Sequence, residues 1–197
     1  MKGGSKKFLL AAVAIAGLFT GGAVYASTTQ VQATANFVSN ITLTPSDIQF
    51  GNVSFNGTPG AGDKVTVSTS NAATYSGVFQ SVGVGGVAAG DIAIAGTFGN
   101  TLDISCAVSG TLAQASGAGR INVTTVKVAN QSSASGGGVL CSGTGTVVLS
   151  FPLTATTDDH LKLGGILDGG SQVSFGAGTY STLNSGGTPI QVDVAYQ

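Results

Sequence analysis

Apolar and polar residues alternate one by one at both ends of this 197-residue chain. Val31, Ala33, Ala35, Phe37, Ile41 and Leu43 take odd positions, with Gln30, Gln32, Thr34, Asn36, Asn40 and Thr42 on the even ones. At the far end Ile190, Val192, Val194 and Tyr196 alternate with Gln191, Asp193, Ala195 and Gln197. An extended backbone turns successive side chains to opposite faces, so each end predicts a strand with one apolar and one polar face. Two arrangements suit that pattern. A self-contained sandwich buries one face of its first and last strands, whereas chains joined end to end use an extended segment of one copy to complete the sheet of the next.

The interior extends the same reading. Short alternating runs recur between Gly-, Ser- and Asn-rich turns, the pattern of a sandwich or barrel. Glu is absent and Lys, Arg and Met are scarce beyond the first residues, which removes most strong helix formers. Disorder needs low hydrophobicity and high net charge, and neither holds here. About ten strands are expected. Leu102, Ile104, Cys106 and Val108 mark the clearest interior one, and Val65 with Val67, Tyr75 to Val82, and Ile92, Ile94 and Phe98 mark others. Phase changes at Gly51-Asn52 and Thr124-Thr125 predict bulges, and Pro152 should end the strand that holds Val147, Leu149 and Phe151.

Residues 1–26 read as a secretory signal peptide. Lys2, Lys6 and Lys7 precede an apolar stretch from Phe8 to Phe19, and Val24-Tyr25-Ala26 sets a cleavage point between Ala26 and Ser27. Thr20, Gly21 and Gly22 interrupt the apolar run and no basic cluster follows, so no membrane span is expected after cleavage. Beyond the signal, Lys64, Arg120, Lys127 and Lys162 face eight aspartates. That mildly acidic surface lacks the clustered cations that nucleic acid requires.

Two cysteines in an exported chain permit one internal pairing, so Cys106 and Cys141 are expected to form a structural disulfide. A redox pair would want a C-x-x-C spacing and a basic neighbour, and this pair has neither. His160 is the sole histidine, in Thr157-Asp158-Asp159-His160, which reads as a turn. Adjacent carboxylates on an extended chain point apart, which weakens a calcium reading, and a lone histidine with two bonded cysteines cannot make a zinc site. Gly83-Val84-Gly85-Gly86 lacks the following lysine of a phosphate loop. No enzyme, cofactor or metal is expected from this inventory.

Three places resemble bacterial fimbrial subunits. Ile41-Thr42-Leu43-Thr44 leading to Ile48-Gln49-Phe50-Gly51-Asn52-Val53 looks like the early motif of spore coat protein U-like and archaic chaperone–usher pilins. Gly178-Thr179-Tyr180 followed by Ile190 to Gln197 looks like their closing strand. The whole is also similar to the secreted domain-of-unknown-function family 4402, which shares this beginning and end. The middle matches only in composition and strand rhythm. Two departures stand out: the cysteines lie mid-chain and not on early strands, and Asn184 stands near where a pilin glycine would fall.

The resemblance implies an immunoglobulin-like antiparallel β-sandwich over residues 38–197, incomplete and completed by a donated strand. Residues 27–37 would be the donor, with Val31, Ala33, Ala35 and Phe37 as plugs, and Ile190, Val192, Val194 and Tyr196 would line the acceptor edge. Identical or related subunits, a periplasmic chaperone and an outer-membrane usher are the implied partners. The expected role is a non-enzymatic structural subunit of a bacterial surface fibre or coat, reached through the periplasm. The rival expectations are a monomeric secreted or surface binding module of the adhesin kind, and a small outer-membrane barrel, which the lack of Trp and of paired aromatic girdles disfavours.

Overall fold

Runs rich in Val, Ile and Thr fit a pleated, half-buried surface, and in the computed structural model of this chain they form strands. The structure describes residues 40–83, 86–154 and 159–197. The expected signal peptide, its Ala26–Ser27 cleavage point and the arm 27–37 lie outside the described residues.

The described residues form an all-β antiparallel sandwich, with strands numbered along the chain. The larger sheet runs in the order β1 (Thr42–Ser46), β8 (Gly90–Ala95), β14 (His160–Val173), β11 (Arg120–Asn130), β10 (Gly110–Gln114) and β15 (Tyr180–Ser181). It also takes in β4 (Lys64–Val67) and β5 (Ala73–Ser76) on the β14 side, and β12 (Val139–Leu140) beside β11. The second sheet has three strands in the order β13 (Gly143–Pro152), β9 (Thr101–Cys106) and β16 (Val192–Tyr196). Two short ladders complete the set: β2 (Gln49–Phe50) with β7 (Val87–Ala88), and β3 (Val53–Phe55) with β6 (Phe79–Ser81).

The long pair β11–β14 is the seam of the larger sheet. β14 pairs β11 along one edge, and along the other it pairs β8 through His160–Leu163 and then β4 through Gly165–Asp168. Alternation along β11 sends Ile121 and Val123 inward, and after a register shift between Thr124 and Lys127 it sends Val126 and Val128 inward. Thr125 sits in that shift with φ of 51°, a left-handed setting that a β-branched residue rarely takes, so the expected bulge is present and twists the strand. Leu102 and Ile104 of β9, fully buried, belong to the same core cluster as Val126, Val128 and Leu161. Each such side chain contributes roughly 1.5–3 kcal/mol through removal from water.

Cys106 closes β9 and Cys141 follows β12, with their Cα atoms 5.2 Å apart and a disulfide between them. The Cys141 N–H also donates to the Val126 carbonyl at 2.9 Å, so the bond ties the smaller sheet to β11 of the larger one.

Several strand expectations need revision. Among the described residues there are sixteen strands and not about ten, because long runs divide between partners. Gly51-Asn52 is no bulge within one strand: Gly51 takes φ of 74°, and β2 and β3 on either side pair different partners, β7 and β6. Tyr75 to Val82 splits into β5 and β6. Val108 and Phe98 fall outside their strands and are exposed. Val173 is the last residue of the fourteen-residue β14. Pro152 does end β13.

The disulfide closes a loop with a sequence separation of 35. Replacing both cysteines by serine is expected to lower the unfolding free energy by about 3–4 kcal/mol, read as an earlier midpoint in urea denaturation against the oxidised parent.

Candidate functional site

Ile121 and Val123 of β11 and Leu167 of β14 are inward residues, and together they floor a cleft of about 870 Å³. One wall is the stretch from Pro45 to Phe55, and the opposite wall holds Pro189, Ile190 and Val192. Phe175 to Thr182 closes part of the rim. There the Phe175 ring meets Phe55 edge-on at 5.0 Å and Phe79 at 6.1 Å, and it stacks on Tyr180 at 5.2 Å. The Tyr180 hydroxyl accepts from the Gly176 N–H at 3.1 Å and donates to the Gly176 carbonyl at 3.0 Å, which pins the loop beneath it.

Among the described residues, the edge beside this cleft is open. The Ala107 N–H donates to the Gln191 carbonyl at 2.8 Å and the Gln197 N–H to the Thr101 carbonyl at 3.0 Å, so odd-numbered residues here turn their polar groups toward β9. By the alternation of an antiparallel ladder, the N–H and C=O of Val192 and Val194 face the other way. They have no partner among the described residues, where β16 pairs β9 alone. Unpaired strand edges next to apolar surface are where an added strand binds.

The expected acceptor residues divide. Ile190 and Val192 line the cleft, whereas Val194 and Tyr196 are half-buried against the core farther along β16 and do not line it. Tyr196 instead accepts the Thr97 N–H on its hydroxyl at 2.6 Å. The expected plugs Val31, Ala33, Ala35 and Phe37 lie outside the described residues. At the other edge, β1 is exposed throughout, and Leu43, expected on a buried face, is 36% exposed. As the outermost strand of the larger sheet it has β8 as its one partner among the described residues.

Residues the sequence reading passed over complete the site. Ile121, Val123, Leu163 and Leu167 look like ordinary core positions in their own strands, and only the chain path brings them beneath one opening. Gly110 is a further one. A Cβ there would stand 2.8 Å from Ile190 Cγ1 and 2.8 Å from the Thr188 carbonyl oxygen, so the absent side chain lets the Ile190 segment approach β10.

The titratable groups sit elsewhere. His160 Nδ1 lies 2.9 Å from the Asp91 carboxylate, and Lys162 Nζ lies 3.0 Å from the same group, joining β14 to β8. Partial burial alone would raise the Asp91 pKa, but hydrogen bonds from Lys162 and His160, with their positive charge, outweigh it and hold the carboxyl below its ordinary 3.8. Asp159 accepts from the Thr154 N–H at 2.7 Å and hydroxyl at 2.9 Å, while Asp158 lies outside the described residues. Among the described residues no group of three or more His, Cys, Asp or Glu could hold a metal ion, and no helix is long and apolar enough to cross a membrane.

No protein-family model, curated protein or solved structure matches this chain.

Two measurements follow from this geometry. Gly110→Val should displace Ile190 and narrow the cleft while the β-sheet circular dichroism persists, seen as shifted amide resonances confined to residues around Gly110 and Ile190. For Asp91, a folded pKa below the unfolded value means a stabilisation present above 3.8 and lost as pH falls through the lower folded value. The stability gap between the parent and Asp91→Asn should therefore shrink below that pH in urea titrations run at stepped acidity.

Proposed function

We propose that this chain is a structural subunit of a bacterial surface fibre or coat, in which residues 27–37 of one copy lie as a strand in the cleft of the next. The observation that carries the reading is the cleft of about 870 Å³ beside the open edge of β16. A donated strand would hydrogen-bond to the outward groups of Val192 and Val194. Its alternate side chains Val31, Ala33, Ala35 and Phe37 would enter the apolar floor and fix the register. A small-molecule site of this size would want a few convergent polar anchors. Here the Tyr180 hydroxyl is already taken by Gly176.

The path of the chain supports donation between molecules. Thr42 opens β1 opposite Ala95, and Tyr196, near the end of β16, bonds Thr97, so the two strands meet at one end. To lie in its own cleft, the arm would have to reverse within residues 38–41 and run parallel to β16. Tight reversals favour Asn-Gly pairs with positive φ, whereas this stretch reads Val-Ser-Asn-Ile and Ile41 does not take positive φ. An arm from another copy carries no such constraint.

Export through the periplasm, with a chaperone guarding the cleft and an outer-membrane usher receiving the subunit, fits the fimbrial resemblance and the disulfide. A non-enzymatic role fits the spending of the sole histidine in the Asp91 ion pair.

The test is a complementation of halves. The chain beginning at Ser27 should form polymers by light scattering, and Ala33→Arg in the arm or Val192→Glu in the cleft should each leave a folded monomer. Mixing the two variants should give a dimer and nothing larger, because one intact arm meets one intact cleft. Variants that remain monomeric on mixing, each destabilised separately, would favour a self-closed binding module.

A further inference from the structure

Asn56 and Gly57 form the Asn-Gly pair of this chain, at the turn that leaves β3. Backbone and side chains leave that pair open to chemistry. The Asn56 N–H donates to the Val78 carbonyl at 3.2 Å, which anchors the residue just past the Phe55–Phe79 rung. Its side-chain amide has no partner among the described residues, and neither does the Gly57 N–H. Both residues are exposed, Gly57 takes φ of 101°, and a Cβ placed there would have nothing within 4 Å.

The other asparagines of the described residues differ in one respect or the other. Asn71 accepts the Ala89 N–H at 2.8 Å, Asn122 accepts the Thr111 hydroxyl at 3.0 Å, and Asn130 accepts the Ser133 N–H at 3.1 Å. Asn100 donates to the Thr97 carbonyl at 3.2 Å and Asn184 to the Ala113 carbonyl at 2.8 Å. Asn40 and Asn52 are followed by Ile41 and Val53, whose branched Cβ atoms hinder attack by the next amide.

We infer that Asn56 is a site of spontaneous deamidation in the folded protein, with water as the co-reactant. The Gly57 main-chain nitrogen, losing its proton to hydroxide, attacks Asn56 Cγ. A nitrogen–carbon bond forms, the Cγ–Nδ2 bond breaks, and ammonia leaves to give a cyclic imide. Water then opens the ring at either carbonyl, yielding aspartate or isoaspartate, so the net change exchanges one amide for a carboxylate without oxidation or reduction. Glycine suits the step because it offers no side chain against the approach and lets the backbone swing through the ring geometry. The product places a negative charge next to Phe55, the cleft residue whose ring meets Phe175, and the isoaspartyl form adds a methylene to the main chain there.

The test uses the purified folded protein held at mildly alkaline pH and followed by peptide-mapping mass spectrometry and isoaspartyl methyltransferase labelling. The expected result is loss of the Asn56 amide ahead of Asn40, Asn52, Asn71, Asn100, Asn122, Asn130 and Asn184, at a rate close to that in the urea-unfolded chain, with the methyl label on the peptide that holds Gly57. Asn56→Gln should remove that label while leaving the circular dichroism unchanged. An Asn56 amide that outlasts the others, a folded-state rate far below the unfolded one, or a label that persists in Asn56→Gln would overturn the inference. None of these outcomes depends on whether copies of the chain exchange strands.

Discussion

The antiparallel seam between β11 and β14 is the constraint on which the rest of the architecture depends. A strand can satisfy its backbone along two edges, and β14 uses both for most of its length: β11 on one side, β8 and then β4 on the other. Because β8 and β4 divide one edge of β14 between them, the chain between them must rise out of the sheet. Its β6 and β7 pair β3 and β2 of the earlier segment between β1 and β4, which lies off the larger sheet and lines the cleft as a wall. The cleft follows from this division, since its floor belongs to the seam and its wall to the displaced segment.

The second sheet is too narrow to cover this floor. Its three strands leave β16 at the margin, with Ile190 and Val192 turned toward the opening and main-chain groups of Val192 and Val194 pointing outward. Sandwiches ordinarily blunt such an edge with charge, proline or a covering loop. Here Asp193 shares the strand but turns to the other face, where Ser105 donates to it at 3.3 Å. The edge thus keeps the traits that favour strand addition: open hydrogen-bonding groups, apolar side chains at every second position, and a recess beneath them. The disulfide between β9 and the segment after β12 holds the narrow sheet against the wide one. It stabilises the two layers without closing the gap between them.

Periodicity over a few residues was enough to read the β character of the chain, the interior strand through Leu102, Ile104 and Cys106 and the end of β13 at Pro152, because side-chain direction along a strand is local. The bulge at Thr125 was legible for the same reason: a change of phase within one run has a single local explanation. Gly51-Asn52 gave the same signal and meant something else, since a phase change between two short strands with different partners looks identical along the chain.

What the sequence alone determined was therefore an all-β fold of the sandwich or barrel kind, with polar and apolar faces assigned along most of its strands, and a disulfide that two cysteines could make in one way. The tertiary structure decided who sits beside whom. It placed Phe50, Ile121 and Ile190 around one opening, left β1 exposed on both faces, and brought Asp91 to His160 across 69 residues. Alternation fixes where a side chain points, but strand partners are chosen by long-range pairing and by the burial of a shared core, and neither is written in a window of neighbouring residues.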